Sequence, residues 1–228
     1  IAKTAREYWS TYRDDAWERP NLKPCIFSFS GAAYQTLDST TCSESGLAYM
    51  QNNLRIISAL YGVLRPFDLM QPYRLEMGTK TVFSEDKSLK LADWWAPSVS
   101  KALSNDLLGR ENKILLNLAS DEYSAAIDTS LLSEDTNYIK VVFWEEGRTI
   151  AIHAKRARGL MVRYVAENNI DTIEGVRKFD SEGYAFVESA SDDSKIVFNR
   201  KKQTPSKNKR PASTATAKKS PKKRTKTK

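Results

Sequence analysis

The chain is expected to fold as an α/β protein, a mixed sheet with helices around it. Short apolar runs of strand type alternate with longer segments of helical period along most of its length. The composition supports a full core, being 40% hydrophobic with ten Tyr, eight Phe and five Trp in 228 residues. A third observation limits the class: no Gly-rich turn follows a first strand, so the standard doubly wound arrangement is not expected.

Residues 1–18 read as a helix carrying Tyr8, Trp9, Tyr12 and Trp17. Pro24–Phe29 is a short apolar run ending at Ser30-Gly31, the pattern of a buried strand and turn. Ser43 with Glu44 opens a helix expected to reach Leu60, with Leu47, Met50, Leu54 and Ile57 on its apolar side and Gly62 to stop it. Pro66 and Pro72 then hold an extended loop, and Tyr73–Met77 alternates like a strand. Trp94–Leu108 is helical behind the cap Asp93, and Lys113–Leu118 is a buried strand followed by the polar turn 119–122. Tyr138–Trp144 and Thr149–Ile152 flank Glu145-Glu146-Gly147, a hairpin signal. Helices are expected over Ala154–Asn168 and Thr172–Lys178, and a last hairpin over Ala185–Glu188 and Lys195–Phe198. Residues 1–198 thus form one globular domain. Residues 199–228 are low-complexity, without an aromatic, and are expected to be disordered.

The net charge of +8 divides unevenly. Residues 199–228 hold 13 Lys or Arg and no acid, leaving 23 basic and 28 acidic residues in 1–198, a net of −5. The body is mildly acidic, and it is not a basic nucleic-acid binder taken whole. No apolar run approaches the ~20 residues that span a bilayer, so no membrane partner is expected. Cys25 and Cys42 are the only cysteines and are expected to stay reduced.

Familiar catalytic patterns are absent: no GxGxxG, Walker loop, GxSxG, CxxC or HExxH. His153 is the single histidine, which excludes a multi-histidine metal site, and no cofactor or metal is expected. Three constellations remain. Arg65, Asp68, Gln71, Tyr73, Arg74 and Glu76 fall within twelve residues on a proline-braced loop, either a polar site or an Arg–carboxylate brace. Asn117 with Ser120, Asp121, Glu122 and Tyr123 ends a buried strand, where α/β ligand sites gather; the acids could bind a hard cation through oxygen ligands, serve as base and stabiliser, or cap a helix. The helix from Ala154 carries Lys155, Arg156, Arg158 and Arg163 without an acid across 154–166, which suits phosphate contact or a solvated face. In the tail, Lys207–Arg210 and Lys218–Arg224 are spaced like a bipartite nuclear import signal, and Ser220-Pro-Lys-Lys223 resembles histone-tail motifs.

Four segments in order carry a resemblance: Leu54–Gly78 (LRIISALYGVLRPFDLMQPYRLEMG), Asn117–Tyr123, Ala154–Met161 and Phe179–Tyr184. Together they resemble the YaaA peroxide-stress family, with its family-specific fold. At Ser30-Gly31-Ala32 the chain departs from the family's Lys-Gly-acid pattern and loses both charges. Ala2-Lys3-Thr4 opens a helical segment, whereas the family's Ala-Lys-Thr follows an N-terminal apolar strand, so a strand and helix ahead of Ile1 are expected to be missing. The resemblance implies binding of duplex or distorted DNA in protection against peroxide, with a helix–hairpin–helix element for which residues 154–178 are one location. On this reading Arg65, Arg74, Lys155, Arg156, Arg158 and Arg163 hold backbone phosphates. Lys218, Lys219, Lys222, Lys223 and Arg224 then add affinity through counterion release. DNA-repair proteins and a nuclear import receptor are further expected partners, with nuclear or cytoplasmic location. The alternative is an enzyme acting on a small phosphorylated or nucleotide-like substrate through Glu76, Asn117, Asp121 and Glu122. A third reading is an interaction adaptor in DNA repair.

Overall fold

A computed structural model describes residues 8, 10, 12, 22–81, 85, 86 and 88–202. The helix expected over 1–18 therefore lies largely outside the described residues, as does the tail beyond Lys202. The fold is α/β, as the alternation of apolar runs requires. Its centre is a four-stranded sheet of β5 (Ile114–Asn117), β6 (Asn137–Glu145), β7 (Ala185–Phe186) and β8 (Lys195–Arg200), in the order β5-β6-β8-β7. The first three of that order run parallel, and β7 pairs antiparallel to β8 at the edge. Two small antiparallel pairs stand apart: β1 (Lys23–Pro24) with β4 (Leu69–Met70), and β2 (Ile56–Ser58) with β3 (Gly62–Leu64).

In β6 the alternate residues Ile139, Val141, Phe143 and Glu145 are buried, the period-two pattern of a strand under a covering layer. That layer is helix α5 (Ala151–Glu167), whose Ala154, Ala157 and Met161 pack on Phe143, Phe179, Tyr184 and Phe198. The far side of α5 meets α1 (Ala32–Leu37). Gly159 permits the approach, because a Cβ there would stand 1.8 Å from the Ala33 carbonyl oxygen. Thr36 Oγ1 donates to the Arg156 carbonyl at 2.7 Å across the same contact. A second core gathers Cys25, Ile26, Leu37, Met50 and Ala166, and a third joins α3 (Leu91–Leu107) to Ala59, Met77 and Ala126.

Several sequence expectations are corrected. The helix opening at Ser43 is α2 (Glu44–Asn53) and stops seven residues short of Leu60. The β-branched pair Ile56-Ile57 goes into a hairpin instead, because Ser58 Oγ accepts from Leu60 and Tyr61 N–H and turns the chain. Gly62, at φ 75°, begins β3 rather than ending a helix, and its bare Cα lies under the Trp95 ring. The Pro24–Phe29 strand reduces to Lys23–Pro24 and a 3-10 turn at Cys25–Phe27. Tyr73–Met77 is irregular; its alternation reflects Met77 entering the third core while Arg74 and Glu76 pair outside. Glu146 and Gly147 both take positive φ, so the expected turn is present. The strand expected after it is not: Thr149-Ile150 leads straight into α5, which starts three residues earlier than the sequence suggested. α3 likewise starts before Trp94, with Asp93 accepting from the Lys90 N–H inside the first turn. Finally, β8 runs to Arg200, two residues past the boundary drawn by the charge shift.

Candidate functional site

The second constellation is built at the carboxyl end of β5. Asn117 is buried, and its Oδ1 accepts from the Ala119 N–H at 2.9 Å while Nδ2 donates to the Tyr138 hydroxyl at 2.7 Å. That turn presents the single-turn helix α4 (Asp121–Ser124), whose acids sit where the helix dipole favours them. Neither acid is left over. Asp121 accepts from Lys140 at 2.6 Å across the β5–β6 pair, and this hydrogen bond holds its carboxyl below the usual range. A carboxylate stabilised in its charged form is poorly matched to general base work at neutral pH. Glu122 accepts from the Gly78 N–H at 3.0 Å, which ties the end of the Leu54–Gly78 segment to the Asn117–Tyr123 segment. Between them Tyr123 is pushed up to about 12, chiefly by burial and further by Tyr73, Glu122 and Glu76.

The first constellation is a brace for the most part. Arg74 pairs with Glu76 at 2.8 Å, and Arg65 reaches Asp106 at 3.4 Å, where Arg55 is already bound. Asp68 accepts from the Arg65 N–H at 2.7 Å. The backbone N–H of buried Gln71 donates to the Tyr61 hydroxyl, and Tyr73 shares a 2.6 Å hydrogen bond with Ser58.

The basic helix divides sharply. Arg163 donates to the carbonyls of Leu37, Asp38 and Thr41 and to the Thr41 hydroxyl at 2.8–3.1 Å, which caps the carboxyl end of α1. Arg156 donates to Glu182 at 2.9 Å. Exposed Lys155 has no ion pair among the described residues. Arg158 is half-buried, and its Nε is shielded from solvent without a hydrogen-bond partner. Burial pulls the Arg158 pKa down, against the opposing pull of Asp121. The five tail cations from Lys218 to Arg224 lie outside the described residues.

One cluster escaped the sequence reading. At the carboxyl ends of β6 and β8, Arg200 donates through Nε to Glu145 at 3.1 Å and through Nη1 to Glu182 at 2.7 Å, and its guanidinium covers the Tyr184 ring. Arg200 is 5% exposed and Glu145 8%. His153 Nδ1 lies 2.9 Å from the same Glu145 carboxylate, close enough for charge contact though not aligned for a hydrogen bond. Glu182 holds this position at φ 52°, a left-handed conformation that a glutamate rarely adopts. The signal was available: an acid and an arginine each end an apolar strand that should otherwise stay dry.

Residues 154–178 form α5, a turn with Asn169 at φ 48°, and the five-residue α6 (Ile173–Arg177), whose N-terminus Thr172 caps through the Gly175 N–H. Among the described residues, no group of three or more His, Cys, Asp or Glu is placed to hold a metal ion, and no helix is long and apolar enough to cross a membrane.

Comparison with known proteins agrees with the four segments. The family model described as peroxide stress protein YaaA matches residues 1–190. A UPF0246 protein of Bordetella petrii is 43% identical over 194 residues, 82% of this chain and 74% of its own length. One from Azoarcus sp. is 45% identical over 196 residues, covering 81% and 74%. A third, from Neisseria gonorrhoeae, is 41% identical over 199 residues, covering 84% and 75%. The chain belongs to the YaaA family of peroxide stress proteins.

Proposed function

We propose that the chain serves peroxide defence by binding duplex or distorted DNA through backbone phosphates, with its basic tail carrying most of the affinity. Charge segregation carries this reading: 12 cations and no acid in 201–228, against a net of −4 in residues 1–200, where Arg200 is already paired with Glu145 and Glu182. The pairing of Arg65, Arg74, Arg156 and Arg163 with groups of the protein itself points the same way, since engaged cations have less to offer a phosphate. Counterion release by the tail is independent of sequence, and it concentrates the body on DNA without base contacts. The two basic clusters also serve as an import address, so the chain fused to a fluorescent reporter concentrates in nuclei and loses that location when Lys218, Lys219, Lys222, Lys223 and Arg224 are replaced by Ala.

The direct test is titration of the full chain, and of one ended after Lys202, against a duplex at several salt concentrations. Ten basic residues lie beyond Lys202. The logarithmic salt slope should fall by up to about nine on truncation, at roughly 0.9 per phosphate neutralised. Equal affinity and slope in the two forms would refute the reading.

A further inference from the structure

Two of the four cations on α5 are engaged and two are not. Arg156 is held by Glu182, and Arg163 by the carbonyls that end α1. Lys155 and Arg158 make no hydrogen bond or ion pair with any described residue, and Nε of Arg158 is closed to solvent as well. Such a position is unfavourable for a guanidinium. Burial withdraws water from the Nε–H, one of the five donors of this charged group, and nothing among the described residues returns that hydrogen bond. The neighbouring carboxylate, Asp121, already accepts from Lys140. The arrangement has the character of a binding residue held at some expense to stability and satisfied when ligand arrives.

The place is chemically consistent. Arg158 lies near α4, beyond the carboxyl end of β5, the edge of a parallel sheet where ligands collect. Positions 155 and 158 are three apart, so both side chains project from the same side of the helix. A guanidinium matches a phosphate or carboxylate bidentately, and an ammonium adds a point charge. Two unpaired cations match a dianion, and a carboxylate leaves one of them uncompensated.

We infer that Lys155 and Arg158 together receive two units of phosphate charge, supplied by the dianionic monoester of a small phosphorylated molecule or by two neighbouring monoanionic diesters of bound DNA. Arg158 grips the oxyanion, and Lys155 completes the charge from the exposed side.

The test uses the full chain in phosphate-free buffer, titrated calorimetrically with sodium phosphate at an ionic strength held constant by sodium chloride, with melting followed in parallel. Phosphate should bind saturably and raise the melting temperature. Arg158→Met should melt above the wild type without phosphate, since an unpaired half-buried charge is gone, and should lose the phosphate-dependent rise. Arg158→Gln provides the same readout should the Met variant not fold. Lys155→Ala should melt as the wild type does and bind phosphate at least fivefold more weakly. A saturating duplex that displaces phosphate identifies the DNA backbone as the source, and phosphate retained beside duplex identifies a small ligand. Absence of saturable binding, an unchanged rise in both Arg158 variants, or sodium acetate acting as well as phosphate overturns the assignment. The phosphate arm contains no DNA, so its failure is separate from failure of the duplex reading.

Discussion

Gly159→Ala should destabilise the protein severely, although Ala is the better helix former by up to about 1 kcal/mol. The added Cβ would lie 1.8 Å from the Ala33 carbonyl oxygen and 2.4 Å from Thr36 Oγ1. A relaxed C···O contact is about 3.3 Å, so α1 and α5 must part by roughly 1.5 Å. The Ala33 obstacle is backbone and cannot rotate away. Overpacking of this kind costs about 1–3 kcal/mol. Separation also stretches the 2.7 Å bond from Thr36 to the Arg156 carbonyl, whose loss adds about 1 kcal/mol. The total of about 2–4 kcal/mol corresponds to a fall in melting temperature of roughly 4–16 °C for a domain of this size. Thermal melting followed by circular dichroism measures it. Gly31→Ala is the control, since nothing lies within 4 Å of its Cβ and its φ is ordinary. Melting of Gly159→Ala within 2 °C of the wild type would show that the helices do not cross this closely.

Arg163→Ala removes the cap on α1; hydrogen bonds to a charged group contribute about 1.5–3 kcal/mol, so melting should fall by roughly 3–12 °C, and a fall under 1 °C would argue for a solvated face. Burial works to raise the Glu182 carboxyl, but hydrogen bonds from Arg156 and Arg200 outweigh it and hold it below its ordinary value. A lowered folded pKa means stability that is present above the unfolded value near 4.5 and lost as pH falls through the folded value. Melting of the wild type should therefore drop more steeply below pH 4.5 than melting of Glu182→Gln, and parallel curves would contradict the assignment. Burial pushes the Cys25 thiol up to about 12 and raises Cys42 as well, and both are free. Neither should react with iodoacetamide at pH 7.5 until the chain is unfolded; rapid native labelling of Cys25 would be the contrary result.

Where a local signal decided the structure, the sequence was legible. The run Lys113–Leu118 became β5 because continuous apolar residues suit a strand covered on both faces. Ala154–Asn168 became α5, and Glu146-Gly147 turned as its residues demand. Where a distant partner decided it, the reading failed. Ile57 sits at helical spacing from Met50 and Leu54, yet pairing of Ile56 with Leu64 and of Ile57 with Val63 made the two a strand. The site behaved likewise. Asn117, Asp121 and Glu122 stand together as their motif suggested, but that Asp121 would be held by Lys140 and Glu122 by Gly78 depends on register and loop placement. Arg163 looked like a ligand cation because nothing in its own helix announces the carbonyls of α1. Glu145 and Arg200, 55 residues apart, could be joined only by the β6–β8 pairing.

That pairing has a consequence for assembly. β8 is the last strand among the described residues yet lies inside the sheet, between β6 and β7. Until Lys195–Arg200 is in place, β6 offers an open edge beside Val141 and Phe143, and β7 has no neighbour at all. Closure over so long a loop is slow, and an open apolar edge is a template for pairing with another molecule. A premature stop or a proteolytic cut before Lys195 therefore yields an adhesive fragment rather than a smaller working protein, because the strand that completes the sheet is the one removed.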